Sequence, residues 1–213
     1  MALLPGLTVK HNRTPIPNAK RQNQLPNAKT NCQYQPMILF LIGYRATGKT
    51  TIGRRLAEQL NCHWIDTDAE IEKFSQRTIP EIFVEDGEAG FREIERNVIK
   101  LIVDRVLRSE TVVVSLGGGA VLSQSTQKLI GKRGRVVWLA APAEELCRRI
   151  ESSQQNTPRP ALTDQSLDQE VSQLLAERQP VYSDCADYTI DTCQLNVDQT
   201  VEQIAQWWSE VDK

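Results

Sequence analysis

From residue 37 onward, apolar positions recur in two alternating rhythms. Ile38-Leu39-Phe40-Leu41-Ile42 is an unbroken apolar run of strand length that stops at Gly43. A four-residue rhythm follows, with Ile52, Leu56 and Leu60 predicting a helix from Lys49 to about Leu60. His63-Trp64-Ile65 reads as a second strand ending at Asp66. Helical segments are predicted over roughly 68–76 and 79–85, the second opened by Thr78-Ile79-Pro80-Glu81, which has capping-box spacing and a proline in the first turn. After a break at Asp86-Gly87, a longer helix is predicted from about Glu88 to Leu107, burying Ile94, Val98, Leu101, Ile102 and Val106. Thr111–Leu116, Arg135–Ala140 and Tyr188–Asp191 are the remaining strands, and helices fill 143–152, 167–178 and 198–210. The last helix places Val201, Ile204, Ala205 and Trp208 on one face, so Trp207 and Trp208 are read as packing residues. Strands apolar on both faces, separated by helices, predict a parallel sheet covered on both sides: a three-layer α/β domain.

Residues 1–36 show neither rhythm. They hold Lys10, Arg13, Lys20, Arg21 and Lys29 with no acid, and five of the ten prolines. Removing those five charges leaves 20 basic against 27 acidic side chains in 37–213, a net of −7, so the overall −2 is a cancellation. A segment of this composition cannot repay its ordering entropy and is read as a disordered basic extension ahead of one domain, 37–213. It lacks serine and an amphipathic arginine pattern, which counts against a transit peptide. Its five dispersed charges make a weak footprint for a nucleic-acid or membrane arm. Upstream sequence before a start at Met37 is the other plain reading. No apolar run approaches the roughly 20 residues that span a bilayer. Five scattered cysteines without a C-x-x-C pair argue against a disulfide framework or a zinc site and suit the cytoplasm.

The chemistry enters at Gly43-Tyr44-Arg45-Ala46-Thr47-Gly48-Lys49-Thr50, which fits G-x-x-x-x-G-K-[ST] between a buried strand and a helix. Such a loop wraps an anion: backbone N–H groups and the positive helix end face the β-phosphate, and glycines permit the approach. Lys49 adds a mobile charge at the β/γ oxygens, and the Thr50 hydroxyl is a ligand for Mg²⁺. The third strand ends in Ser115-Leu116-Gly117-Gly118-Gly119 and lacks the acid that usually accompanies this loop. Asp66 and Asp68, ending the second strand, are the nearest carboxylates. At the carboxyl end of a parallel sheet, one of them suits the magnesium shell and the other the proton of an attacking hydroxyl, with helix capping as the competing role.

Three further arginines are candidates. Arg92 is three residues before Glu95, so Glu95 can orient its guanidinium. Arg159 sits in a polar stretch expected to be a mobile lid, about 153–165, where an arginine stabilises transition-state charge. Arg178 ends a predicted helix just before Pro180, where serving the helix dipole is its plainer role. Two arginines aimed at one acceptor would imply a carboxylate on it.

Taken together, the chain from Met37 to its end resembles shikimate kinase, of the nucleoside-monophosphate-kinase-like group of P-loop kinases. The resemblance rests on the phosphate loop with Thr51-Ile52-Gly53, then Asp66-Thr67-Asp68, Phe91-Arg92-Glu93-Ile94-Glu95, Ser115-Leu116-Gly117-Gly118-Gly119-Ala120, Arg159-Pro160 and Arg178-Gln179-Pro180-Val181-Tyr182. It implies a five-stranded parallel sheet of order 2-3-1-4-5 with a helical substrate-binding insert near 68–95. It implies ATP-dependent phosphorylation of the 3-hydroxyl of shikimate, in the pathway to chorismate and aromatic amino acids. By the same likeness, Ala46, Thr47, Gly48, Lys49, Thr50, Thr51 and Arg159 bind ATP, and Thr50 with Asp66 supports Mg²⁺. Arg92 and Arg178 hold the shikimate carboxylate, Gly117, Gly118 and Gly119 line the substrate, and Asp68 is the base, with Lys49 and Arg159 as the other catalytic groups. A cytoplasmic monomer acting on a small molecule is expected, with no nucleic-acid or membrane partner. Ala46 departs from the family, which usually has glycine there, and the basic extension lies outside the resemblance. A gluconate or nucleotide kinase, and a non-catalytic nucleotide-binding relative, are the alternatives.

Overall fold

The computed structural model describes residues 38–106, 111–154 and 166–211. The expected basic extension 1–36, Arg159 and the expected lid from 155 onward lie outside them.

The first strand, β1 (Ile38–Ile42), is buried along its whole length and forms the middle of the sheet. It pairs in parallel with β3 (Val112–Ser115) on one side and β4 (Gly134–Ala140) on the other. β2 (His63–Asp66) adds outside β3, and β5 (Tyr188–Asp191) outside β4, giving the expected order 2-3-1-4-5. Alternation along β1 builds two cores. Ile38, Phe40 and Ile42 join Val112, Val114, Val136 and Trp138 on one face. Leu39 and Leu41 join Val113, Val137 and Leu139 on the other. The second face is covered by α1 (Lys49–Gln59) and α7 (Val197–Val211), which contribute Ile52 and Leu56, and Val201, Ile204 and Trp208. Trp208 is thus a core residue, and Trp207 stacks on Tyr188 at 5.0 Å.

The first face is covered by α3 (Ile79–Arg105), through Val98, Ile99, Ile102 and Val103, with α2 (Thr67–Ser75) adding Ile71. The Thr78–Glu81 capping box is present, and helical geometry breaks at Gly87 (φ 67°, ψ −173°), so α3 is two helices joined at the expected Asp86-Gly87 position. Along α5 (Ala143–Gln154), Leu146, Cys147 and Ile150 pack with Val171 of α6 (Leu167–Cys185) around Tyr44 of the phosphate loop.

Three elements differ from the sequence reading, the smallest being a single 3₁₀ turn, Ala120–Leu122, directly after the triple glycine. A helix, α4 (Gln124–Arg133), occupies a stretch with no predicted element; it buries only Thr126 and Ile130 and contains Gly131, so its apolar signal is one pair of positions. The third is α6, which continues seven residues past Arg178, through Pro180, to Cys185. Proline inside a helix costs about 3 kcal/mol. The fully buried Tyr182, one turn beyond Arg178, offsets it: its hydroxyl is fastened to the Gly118 carbonyl. Arg178 therefore lies inside a helix and does not serve its C-terminal dipole.

Candidate active site

The connection from β1 to α1 is the phosphate loop, placed at the carboxyl end of the sheet where the strand order reverses. Gly43 and Gly48 take φ 142° and 94°, and a Cβ on Gly43 would lie 2.5 Å from the Leu139 carbonyl oxygen. Both positions require glycine. Ala46, where the family usually has glycine, adopts φ 65°, a left-handed conformation that is strained for alanine. Lys49 Nζ donates to the carbonyls of Gly43 and Tyr44, each at 2.8 Å, so the ammonium lies along the loop. Thr47 is buried and donates its hydroxyl inward to the Tyr44 carbonyl at 2.8 Å. Thr51 is exposed on α1; among the named loop residues, Ala46, Gly48, Lys49 and Thr50 line the cavity here, and Thr47 and Thr51 do not. That cavity, of about 210 Å³, is completed by Arg45, Asp66, Asp68, Ser115, Leu116 and Gly118.

The two carboxylates after β2 divide their contacts. Asp66 is the N-cap of α2: Oδ1 accepts from the Asp68 backbone N–H at 3.0 Å, and Oδ2 accepts from Thr50 Oγ1 at 2.9 Å. Capping therefore falls to Asp66, which at the same time joins the phosphate loop, and Asp68 is left exposed in the first turn of the helix. Thr67, between them, is fully buried; its hydroxyl donates to the Ser115 carbonyl (3.2 Å) and accepts from the Gly117 N–H (3.0 Å). Ser115 stands where an acid was missing. It donates to the Lys49 carbonyl and accepts from Trp64 Nε1, each at 3.0 Å, tying β3 to α1 and β2.

A second cavity, of about 170 Å³, shares Arg45, Asp68 and Gly118 with the first and is lined also by Phe83, Phe91, Arg92, Glu95 and Arg178. Arg92 donates to Glu95 at 2.8 Å, and its guanidinium lies 5.2 Å from the Phe91 ring centre. Glu95 is 2% exposed, and its second oxygen, Oε1, has no hydrogen-bond partner among the described residues. Burial raises its pKa, and Arg92 offsets this only in part. The glycines explain how these groups fit together. A Cβ on Gly117 would lie 2.8 Å from Glu95 Oε1 and 3.0 Å from Asp68 Oδ1, and one on Gly119 would lie 2.7 Å from Arg92 Nη1. On Gly118 it would meet the Gly43 carbonyl at 3.4 Å and Arg178 Nη1 at 3.8 Å. The triple glycine is thus a floor that lets carboxylates, arginines and phosphate loop converge.

A family model for shikimate kinase matches residues 45–209 of this chain. The chain belongs to the shikimate kinase family. A shikimate kinase from Pelotomaculum thermopropionicum is 40% identical over 172 residues, 81% of this chain and 95% of that relative. One from Chlorobium chlorochromatii is 36% identical, covering 82% and 92%. Among solved structures, shikimate kinase from Acinetobacter baumannii in complex with shikimate superposes with a TM-score of 0.74 at 34% identity, covering 84% of this chain and 95% of that one. Membership makes the chain a kinase, with the five-stranded P-loop fold found above.

Within this shikimate kinase fold, sequence reasoning passed over four residues that contact the site. Arg45 occupies a variable position of the phosphate loop, lines both cavities and forms an ion pair with Glu170. Glu170 reads in sequence as an ordinary first-turn helix acid, yet it is 1% exposed. Tyr182, four residues after Arg178, donates to the Gly118 carbonyl at 2.5 Å; the Arg178–Tyr182 spacing was the available signal. Arg149 of α5 joins the loop after β5 to the site, donating to the Thr192 hydroxyl (3.0 Å) and carbonyl (2.8 Å) and, at 3.5 Å, to the Ala46 carbonyl.

Proposed function

We propose that the chain transfers the γ-phosphoryl group of ATP to the 3-hydroxyl of shikimate, producing shikimate 3-phosphate for chorismate and aromatic amino-acid biosynthesis. The observation that carries this reading is the pair of adjoining cavities, one walled by the phosphate loop and one by Arg92 and Arg178, with Arg45, Asp68 and Gly118 common to both. ATP occupies the first. Backbone N–H groups of the loop and the start of α1 face its phosphates, and Lys49 exchanges loop carbonyls for phosphate oxygens. A carboxylate-bearing acceptor occupies the second, held by Arg92 and Arg178, with Glu95 keeping Arg92 oriented. The shared edge then brings the acceptor hydroxyl to Asp68, whose exposed carboxylate takes its proton as the bond to phosphorus forms. Arg159 is assigned to the developing charge by the family resemblance.

Thr50 and Asp66 are the residues that would hold Mg²⁺. Their oxygens are hard donors 2.9 Å apart at the nucleotide cavity. Among the described residues there is no cluster of three His, Cys, Asp or Glu side chains. Magnesium characteristically takes only one or two protein oxygens and keeps several waters, which suits the Thr50 and Asp66 donor pair. A divalent cation held by Thr50 and Asp66 would supply positive charge against the phosphates. A monomeric cytoplasmic enzyme without nucleic-acid or membrane partners completes the reading, and among the described residues no helix is long and apolar enough to cross a membrane.

Coupled ADP release with ATP and a panel of acceptors tests the function. Release that depends on shikimate is expected; phosphorylation of gluconate or a nucleoside monophosphate, with none of shikimate, would overturn it.

A further inference from the structure

One side of α6 reaches three parts of the site. Glu170, Arg178 and Tyr182 are spaced at multiples of four residues, which sets them along one row inclined to the helix axis. Glu170 pairs with Arg45 in the phosphate loop, Arg178 lines the acceptor cavity, and Tyr182 holds the Gly118 carbonyl. Arg45 and Arg178 flank the same aromatic ring, their guanidinium carbons 5.9 and 5.5 Å from the centre of buried Tyr44. Burying a carboxylate as deeply as Glu170 is costly even when paired, and a surface acid in the same turn would serve the helix dipole equally well. The depth of this pair therefore calls for a role beyond helix stability.

We propose that Glu170 is a positioning residue. Through Arg45 it fixes the phosphate loop against the helix that carries Arg178, and so sets the distance between the transferable phosphoryl group and the anchored acceptor. The inference deepens the functional reading above and rests on it. Tyr182 does the same for the glycine floor. The nucleotide and acceptor cavities are then registered on one helix.

The test compares wild type, Glu170→Gln, Arg45→Met and the double variant Arg45→Met/Glu170→Met in steady-state turnover. Dissociation constants for ATP alone and shikimate alone, and melting temperature, are measured alongside. Because a displacement near 1 Å costs about 10²-fold in rate, each single variant should lose kcat on that order, and Glu170→Gln, whose side chain lines neither cavity, should do so with both dissociation constants little changed. The losses should not multiply in the double variant, since both changes break one link. The double variant also replaces the buried pair by apolar side chains, which preserves folding if a single variant does not fold. Unchanged kcat in folded variants would overturn the proposal. So would a fall in kcat matched by weaker binding of both ligands and a lower melting temperature, which marks a structural role only. Absent turnover of shikimate by wild type would instead overturn the functional reading itself.

Discussion

The proposed nucleotide side of the site is built around one continuous stretch, residues 43–50, with Asp66 and Ser115 added from β2 and β3, whereas the proposed acceptor side is gathered from Asp68, Arg92, Gly117–Gly119 and Arg178. The first works mainly through backbone: φ values at Gly43 and Gly48, the start of α1, and a lysine resting on its own loop. The second works through side chains that meet only because the ends of β2 and β3 and the middle turns of α3 and α6 come together beside one cavity. A backbone device is local and tolerates change at its variable positions. A side-chain device depends on topology and on whatever holds each side chain in place, here Glu95 for Arg92 and Tyr182 for the glycine floor. Substitutions should therefore separate the two sides cleanly, except at the seam.

The largest effect is expected at the seam. Asp68→Asn keeps shape and removes the proton acceptor, so turnover should fall about 10²–10⁴-fold, the usual worth of a positioned base. ATP binding, measured by titration, should persist. Near-wild-type turnover would take the chemical role from Asp68. Next in size is Arg92→Ala, which deletes one arm of the carboxylate clamp. A charge-assisted hydrogen bond contributes about 1.5–3 kcal/mol, so the KM for shikimate should rise on the order of 10–10²-fold. The KM for ATP should stay put; an effect confined to ATP would break the division between the two sides.

The same contrast explains what was legible in the sequence. The phosphate loop, the Thr78–Glu81 capping box and the Gly87 break are each written in neighbouring residues, and all three are present. Sheet order and the acceptor arginines came from the family resemblance, because nothing local says that residues 92 and 178 meet. Glu170 and Arg45 stayed invisible for the same reason: an ion pair across 125 residues leaves no periodic trace. Helix α4 was missed because Thr126 and Ile130 are its only buried positions. Pro180 misled in the other direction, since a local rule about helix ends was overridden by the burial of Tyr182.

A smaller, pH-dependent effect should distinguish Glu95 from a simple surface partner of Arg92. Burial raises its carboxyl pKa in the folded state above the ordinary value of 4.5. The native state then binds this proton more tightly than the unfolded chain does. The group's contribution to stability is accordingly largest below about pH 4.5 and declines as pH rises through the folded-state value. Glu95→Gln lacks that proton, so the melting-temperature difference, wild type minus variant, should become less positive from pH 4.5 to neutrality. A difference that grows over that range would mean the Arg92 ion pair outweighs the burial.

The smallest effect belongs to the backbone side, at Ala46. Its φ of 65° is a conformation that costs an L-residue about 1–2 kcal/mol. Ala46→Gly should relieve this strain, but glycine also loosens the unfolded chain by about 0.4–1 kcal/mol. The two terms oppose each other, so stability should rise by less than about 1.5 kcal/mol, read as a small upward shift in melting temperature. Affinity for ATP should improve if the strain also resists the loop geometry that nucleotide requires, with the KM for shikimate unmoved. A loss of stability on Ala46→Gly would show that packing of the alanine methyl against the Tyr44 cluster exceeds its backbone cost. The loop would then be held by side-chain packing, as the acceptor side is, and the contrast between the two regions would narrow at this position.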